Sequence, residues 1–526
     1  MEIAGQQKNE PAYTKRQVFM ALATVFLVNL VYSYYIQTPG IAAPKMAADL
    51  DGMALYSWSV SIPGLGLAFG TILVGKLSDI YGRRSLLFVC MIIFTLGAVL
   101  SAISPTYIFL IAARTILCLG QGALSPLVFS VLGDMFPPAE RSRLVGLLNI
   151  PMGIFAVFGP TLGGWLTDTM SWRHIFWWGV PLLLICFVFL FGMPALVQGA
   201  ARKIDIRGCL WMTFASSALI FGFSFAGTTY PWSSVQVIGL LALSIVFSIF
   251  FIRAEAKAAE PILDLQVLRN RSFITVSGAG LLSFFGSIGI MLYYPLLMQG
   301  IQGVSAMRSG QILTPYGVLS SFIGVPTGFL LARTKHYKWM YVIGYAIMAA
   351  AMCGMIFFDS DTSILWGLLV CTLSGIGLGA IPTINTLVVQ YAVPKRLLGV
   401  AMGALFFSIS MGVAIAPAIL GSAMNMQYNS TLKDSLPAEL TRIADDATMT
   451  SLGNPRVLLS EPAMKALQEM LGKREGGQRL FEQTVQAIRV SMEAGLKSVF
   501  IIGALTMVLA FILICTVPEI PMEDKS

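Results

Sequence analysis

The chain has 526 residues, 56% of them hydrophobic and only 11% charged, with a mean hydropathy of +0.78. A soluble protein of this size lacks the polar surface to cover so much apolar area, so the class is an all-α polytopic membrane protein. The net charge of +8 is not a nucleic-acid footprint, because roughly 21 of the 34 Lys and Arg fall in tails and loops on one face and about three on the other. That asymmetry sets orientation and meets anionic lipid headgroups.

In chain order, residues 1–16 form a polar cytoplasmic tail before a span too long for a signal-peptide core. A 20-residue window predicts roughly fourteen spans. Six lie near 17–41, 54–75, 85–103, 107–132, 142–166 and 174–194, within a first bundle over 17–200. Two more, near 208–226 and 233–252, occupy 201–258. The last six, near 273–299, 309–332, 339–358, 363–391, 397–424 and 494–517, belong to a second bundle over 259–526. That bundle includes a polar extracytoplasmic loop at 425–493, in which Leu467, Leu471, Leu480 and Ile488 fall at helical spacing, as in an amphipathic hairpin. An even count places both termini on the cytoplasmic side.

The turn after the second span reads Gly75-Lys76-Leu77-Ser78-Asp79-Ile80-Tyr81-Gly82-Arg83-Arg84-Ser85. Asp79 and Arg83 are four apart, spaced to pair across a helix end, and Gly75 and Gly82 allow close approach and a tight reversal. The stretch resembles the signature between the second and third helices of the major facilitator superfamily. A fainter version, Gly328-Phe329-Leu330-Leu331-Ala332-Arg333-Thr334-Lys335, follows the second helix of the second half. The six-two-six order is similar to the fourteen-helix branch of EmrB/QacA-type multidrug exporters. So are Glu260–Leu265, Asp134–Arg141 and Ser171–Phe176. The resemblance implies two six-helix bundles with two additional central helices, and alternating access. It also implies a cytoplasmic switch built from Gly75, Asp79, Gly82, Arg83, Arg84 and Asp134.

Arg114 is the one cation deep in the apolar core, expected mid-span in the fourth helix, and so a functional candidate by default. It resembles the arginine of the family's fourth-helix motif, with Gln121 as a displaced amide. Gly146, Gly159, Pro160, Gly163 and Gly164 resemble the fifth-helix motif of the family's exporters, where small residues let helices approach. A cavity between the halves is expected from Asn29, Tyr32, Tyr35, Gln37, Tyr293, Tyr294 and Asn385, whose aromatic walls suit amphipathic ligands. The first-helix aspartate common in the branch is replaced by Tyr35, and no Asp or Glu lies deep within a predicted span.

The seven cysteines, at 90, 118, 186, 209, 353, 371 and 515, lie in or beside apolar runs, and His174 and His336 are far apart, so no metal site is expected. No P-loop or nucleophile constellation points to an enzyme or to a cofactor. The expected function is export of hydrophobic or amphipathic small molecules through the cell inner membrane, with protons as coupling ion and lipids as surroundings. Two rivals remain at this stage: a dedicated transporter of an anionic or neutral metabolite, and a non-transporting sensor or scaffold that binds a partner through the outer loop.

Overall fold

The computed structural model describes residues 14–43, 46, 49–50, 58–194, 206–227, 230–257, 265–304, 306–394, 397–443, 448–449, 452–453, 458, 461–472 and 477–519. The loop segment Glu260–Asp264 and most of the N-terminal tail lie outside them, as do the side chains of Asp79 and Pro160. The first half comprises α1 (Lys15–Gln37), α2 (Trp58–Tyr81), α3 (Arg83–Ala102), α4 (Tyr107–Met135), α5 (Pro138–Leu147 and Asn149–Thr169) and α6 (Arg173–Gly192). Then follow α7 (Ile206–Phe225) and α8 (Val235–Glu255). The second half comprises α9 (Arg271–Ile288, continued by π turns to Ile301), α10 (Ala306–Phe322 and Gly324–Thr334), α11 (Lys338–Met355), α12 (Ile364–Ala392), α13 (Leu398–Ser435) and α14 (Gly477–Cys515). Among the described residues twelve helices are long and apolar enough to cross a membrane, and α2 and α7 supply shorter apolar stretches, Ile62–Thr71 and Leu210–Phe223.

Local chemistry starts and stops these helices. Thr14 and Gln17 form a reciprocal capping box at α1, and the Thr106, Ser234 and Asn270 side chains accept from backbone amides to start α4, α8 and α9. Gly82 takes φ +82, which ends α2 and lets α3 begin at the next residue. Asp79 therefore belongs to α2 and Arg83 to α3, so their four-residue spacing is not that of one continuous helix. The 29 residues of α4 make it about 43 Å long, so its ends reach past the hydrocarbon on both sides.

The halves repeat one packing scheme. In the first, α2 packs on α4, α3 on α4, α1 on α6, α3 on α6, and α1 on α5. Moving each partner eight helices along the chain gives α10 on α12, α11 on α12, α9 on α14, α11 on α14, and α9 on α13, all of which occur. The halves meet along two seams, α5 with α10 and α2 with α13, which exchange under the same operation. This is the pseudo-two-fold arrangement about an axis along the membrane normal. Internal duplication is thus far clearer in the packing than in the residues.

Helix α7 touches both α2 and α13 and so covers one seam from the side. Its antiparallel partner α8 is mostly exposed, and Ser244 Oγ donates to Ala215 O at 2.9 Å to hold the pair together. The described residues of the polar stretch at 425–493, where helical spacing was expected, are largely helical. The 38 residues of α13 span about 57 Å and the 39 of α14 about as much, well beyond a bilayer core. The helix Glu461–Gly472 lies against α14, burying Leu467 and Leu471, while Tyr428 Oη donates to Leu452 O at 2.7 Å.

Candidate inner gate and transport site

The Arg83 guanidinium, fully buried, donates from Nε to Asp134 Oδ2 at 2.8 Å and from Nη1 to Ser78 Oγ. The pair joins the first residue of α3 to the end of α4, two elements of one half. It stands beside the other half nonetheless, because the next residue back, Gly133, faces Leu398, the first residue of α13. A Cβ added at Gly133 would lie 2.5 Å from Leu398 Cδ2. Arg84 takes another path, donating from Nη2 to Phe191 O at 2.7 Å near the inner end of α6.

Around this ion pair the two halves meet in close contact. At the α5–α10 crossing a Cβ on Gly146 would lie 2.8 Å from Gly324 O, and Gly328 meets the Ser142 carbonyl, so only glycine fits. Asn149 Nδ2 donates to Thr383 Oγ1 at 3.1 Å, linking α5 to α12. Gln390 Nε2 donates to Phe129 O at 3.2 Å, linking α12 to α4. The Phe129 and Phe406 rings stack with centroids 5.2 Å apart. Arg141, buried at 7% exposure, donates from Nη2 to the carbonyls of Gly133 and Phe136 at 2.6 and 3.0 Å. Its guanidinium carbon stands 5.8 Å from the Tyr391 ring centroid across the seam. Asn149, Thr383, Gln390 and Arg141 carry one sequence signal, that of polar side chains within or beside apolar helices.

The exporter-type motif divides. Gly146 serves the crossing between halves, whereas Gly159 serves α1, since a Cβ there would lie 2.9 Å from Gln37 Cβ. The Gly163 carbonyl accepts from Thr167 Oγ1 at 2.6 Å, and Gly164 has open space around it.

Of the residues expected around a cavity, most are committed to packing between helices. Tyr35 is buried, donates to Phe176 O at 2.7 Å and lies edge-on to the Phe94 ring. Gln121 Nε2 donates to Tyr32 O at 3.1 Å, fastening α4 to α1, and Asn29 Nδ2 donates to Leu148 O at the break in α5. Tyr293 donates to Pro417 O at 3.3 Å, Tyr294 packs on Phe358, and Asn385 accepts from the buried Tyr341 hydroxyl. Tyr32, Asn29 and Arg114 are half-buried. Arg114 lies seven residues into α4, about 10 Å from the outer end and so nearer the surface than mid-span. Its Nη1 reaches Ser59 O at 3.5 Å, the outer limit of a hydrogen bond. Among the described residues no group of three or more His, Cys, Asp or Glu is arranged to hold a metal.

Comparisons with known proteins agree with this geometry. The Multidrug transporter protein MdtP of Bacillus subtilis is 29% identical over 92% of this chain and 90% of its own length. Multidrug resistance protein 3 of the same organism is 28% identical over 90% of each chain. By fold, the chain is similar to the proton:xylose symporter XylE, with a TM-score of 0.58 at 14% identity, covering 97% of this chain and 98% of that one. A sequence profile of the Major Facilitator Superfamily matches residues 25–417. The chain is a multi-span membrane transporter, not an enzyme, and belongs to the Major Facilitator Superfamily.

Proposed function

We propose that this transporter exports hydrophobic or amphipathic small molecules across the cell inner membrane by alternating access, driven by inward-moving protons. The reading takes the chain as fourteen-spanning with both termini cytoplasmic, and the stretch at 425–493 as extracytoplasmic. The observation that carries it is the closed inner seam, in which the Gly146–Gly328 crossing, the Asn149–Thr383 and Gln390–Phe129 bonds and the Arg83–Asp134 pair lie together. Opening toward the cytoplasm requires the glycine crossing and the Asn149–Thr383 and Gln390–Phe129 bonds between the halves to part beside the Arg83–Asp134 pair, so a ligand favouring either arrangement shifts the population. The names of the Bacillus relatives support a multidrug range.

The gate groups of the proposal are Gly75, Asp79, Gly82, Arg83, Arg84 and Asp134. We assign proton coupling to Asp79 or Asp134, since the sequence offers no acid deeper in a span. The substrate is placed between the halves, with Asn29, Tyr32 and Arg114 at its first-half wall. One observation favours a second reading, a dedicated anionic or neutral substrate: the guanidinium of Arg114 is held only at the limit of hydrogen bonding by Ser59. Efflux of a fluorescent lipophilic cation and a neutral dye, with and without an uncoupler, separates the two. Uncoupler-sensitive export of both supports proton-driven multidrug efflux. Stable protein that exports neither overturns it in favour of the Arg114 reading.

A further inference from the structure

A groove of about 660 Å³ runs along the outer part of the α11–α12 pair, on an exposed face of the second half. Its floor is made of small residues, Ala351 and Gly354, and its walls of Trp366, Leu369 and Leu373, which are 61%, 46% and 38% exposed. From Ser363 to Leu373 the wall runs ten residues along α12, about 15 Å of its length. At the mouth stand the exposed Phe357 ring and the exposed Asp361 carboxylate.

The mouth is a built turn. Asp359 Oδ1 accepts from the Thr362 hydroxyl at 2.8 Å and from the Asp361 amide at 3.0 Å. These bonds, the Thr362 hydroxyl first, hold the Asp359 carboxyl below its ordinary pKa. Gln302 Nε2 at the end of α9 donates to the carbonyls of Asp359 and Thr362, both at 3.1 Å, fixing the turn from behind. Asp361 is thus carried at the interface by a braced backbone, with two aromatic rings beside an apolar trough.

We propose that this groove is a binding site for monovalent amphipathic cations drawn from the outer leaflet. The cation meets Asp361 and the faces of Phe357 and Trp366 at the rim, and the apolar body lies along Leu369 and Leu373 over the Ala351–Gly354 floor. The lining residues include an acid and no Lys or Arg. That composition disfavours a phospholipid, whose phosphate would face the Asp361 carboxylate; Lys497, the cation that acts on Asp359 in the same turn, is already paired with Glu493 Oε1 at 2.8 Å. The site is separate from the space between the halves, and binding there needs no alternation, so the inference stands independently of the export reading.

The test uses the full chain in phosphatidylcholine nanodiscs, with dodecyltrimethylammonium as probe and empty discs subtracted. Asp361→Asn should weaken binding about fivefold or more, while dodecanol, its uncharged analogue, keeps its affinity. Gly354→Leu should abolish binding of both, and it is expected to fold because a Cβ there meets only Val370 Cγ2 at 3.9 Å. Unchanged melting temperatures in both variants establish that folding is intact. Wild-type binding no greater than that of empty discs, or unaltered binding in both variants, overturns the proposal. Cation binding by a wild-type protein that exports nothing leaves the groove standing and sinks the export reading alone.

Discussion

The two halves share a packing scheme, yet their equivalent inner turns are built differently. Between α2 and α3, Gly82 makes the reversal and Arg83 goes into a buried ion pair, its side chain 1% and that of Asp134 4% exposed. Between α10 and α11 the reversal is made by Lys335, in the left-handed region at φ +57. The polar side chains there stay in water: His336 Nδ1 lies 2.8 Å from Glu519 Oε1, with side chains 69% and 42% exposed. Tyr337 alone goes inward, donating its hydroxyl to Pro518 O. The first turn is clasped to the end of α4, where α13 begins, whereas the second is tied to the tail after α14. On the function proposed above, the first turn is the one that senses whether the halves are together.

The sharpest way to break this contrast is Asp134→Ala. Removing one partner takes a carboxylate from a buried guanidinium, and the expected loss is about 3–5 kcal/mol of stability, with transport abolished. Thermal denaturation and dye efflux measure both. The double change Arg83→Met with Asp134→Leu should recover much of the stability and none of the transport. Recovery of flux would mean that the pair is only packing. Next in size, Gly328→Val should keep each half folded but hold the inner ends apart, because its Cβ would press on the Ser142 carbonyl. Cysteine labelling from the cytoplasmic side should rise at the seam as efflux falls, and unchanged labelling would count against a closed inner seam. Arg141→Lys replaces a planar fork with a point charge and should cost about 1–3 kcal/mol through the lost carbonyl bonds. Smallest of all, Glu519→Gln breaks an exposed pair and should alter stability by no more than about 0.5 kcal/mol, an effect that vanishes in high salt. A large effect there would erase the distinction between the turns.

Much of the architecture was legible because lipid imposes a simple rule. A span must satisfy its own backbone and present apolar side chains, so helix positions follow from hydropathy alone. The turn at Gly82 and the basic residues beside it were equally readable. What was not readable depends on distance in sequence. Nothing local tells that Asn149 will find Thr383, 234 residues away, or that Gln390 will reach Phe129. Tyr35 illustrates the opposite error. Its position in the first helix matches a residue expected to face the substrate, yet its hydroxyl answers a carbonyl of α6, and rings on three sides enclose it. At 425–493 the helical spacing of Leu467, Leu471, Leu480 and Ile488 was legible, but not that α13 and α14 run on without a break into the polar stretch. Once a helix leaves the bilayer it needs no apolar surface on its outer faces, so α13 and α14 continue with only one stripe buried.

The insertion of α7 and α8 has a consequence of parity. A hairpin adds two reversals of chain direction, so α9 sets out in the same sense as α1, and the second half keeps the polarity of the first. A single inserted helix would have turned that half upside down, carrying Gly328 to the membrane face opposite Gly146 and dissolving the glycine crossing on which the closed seam rests. Between two parallel repeats, additions to this chain are admissible in even numbers only.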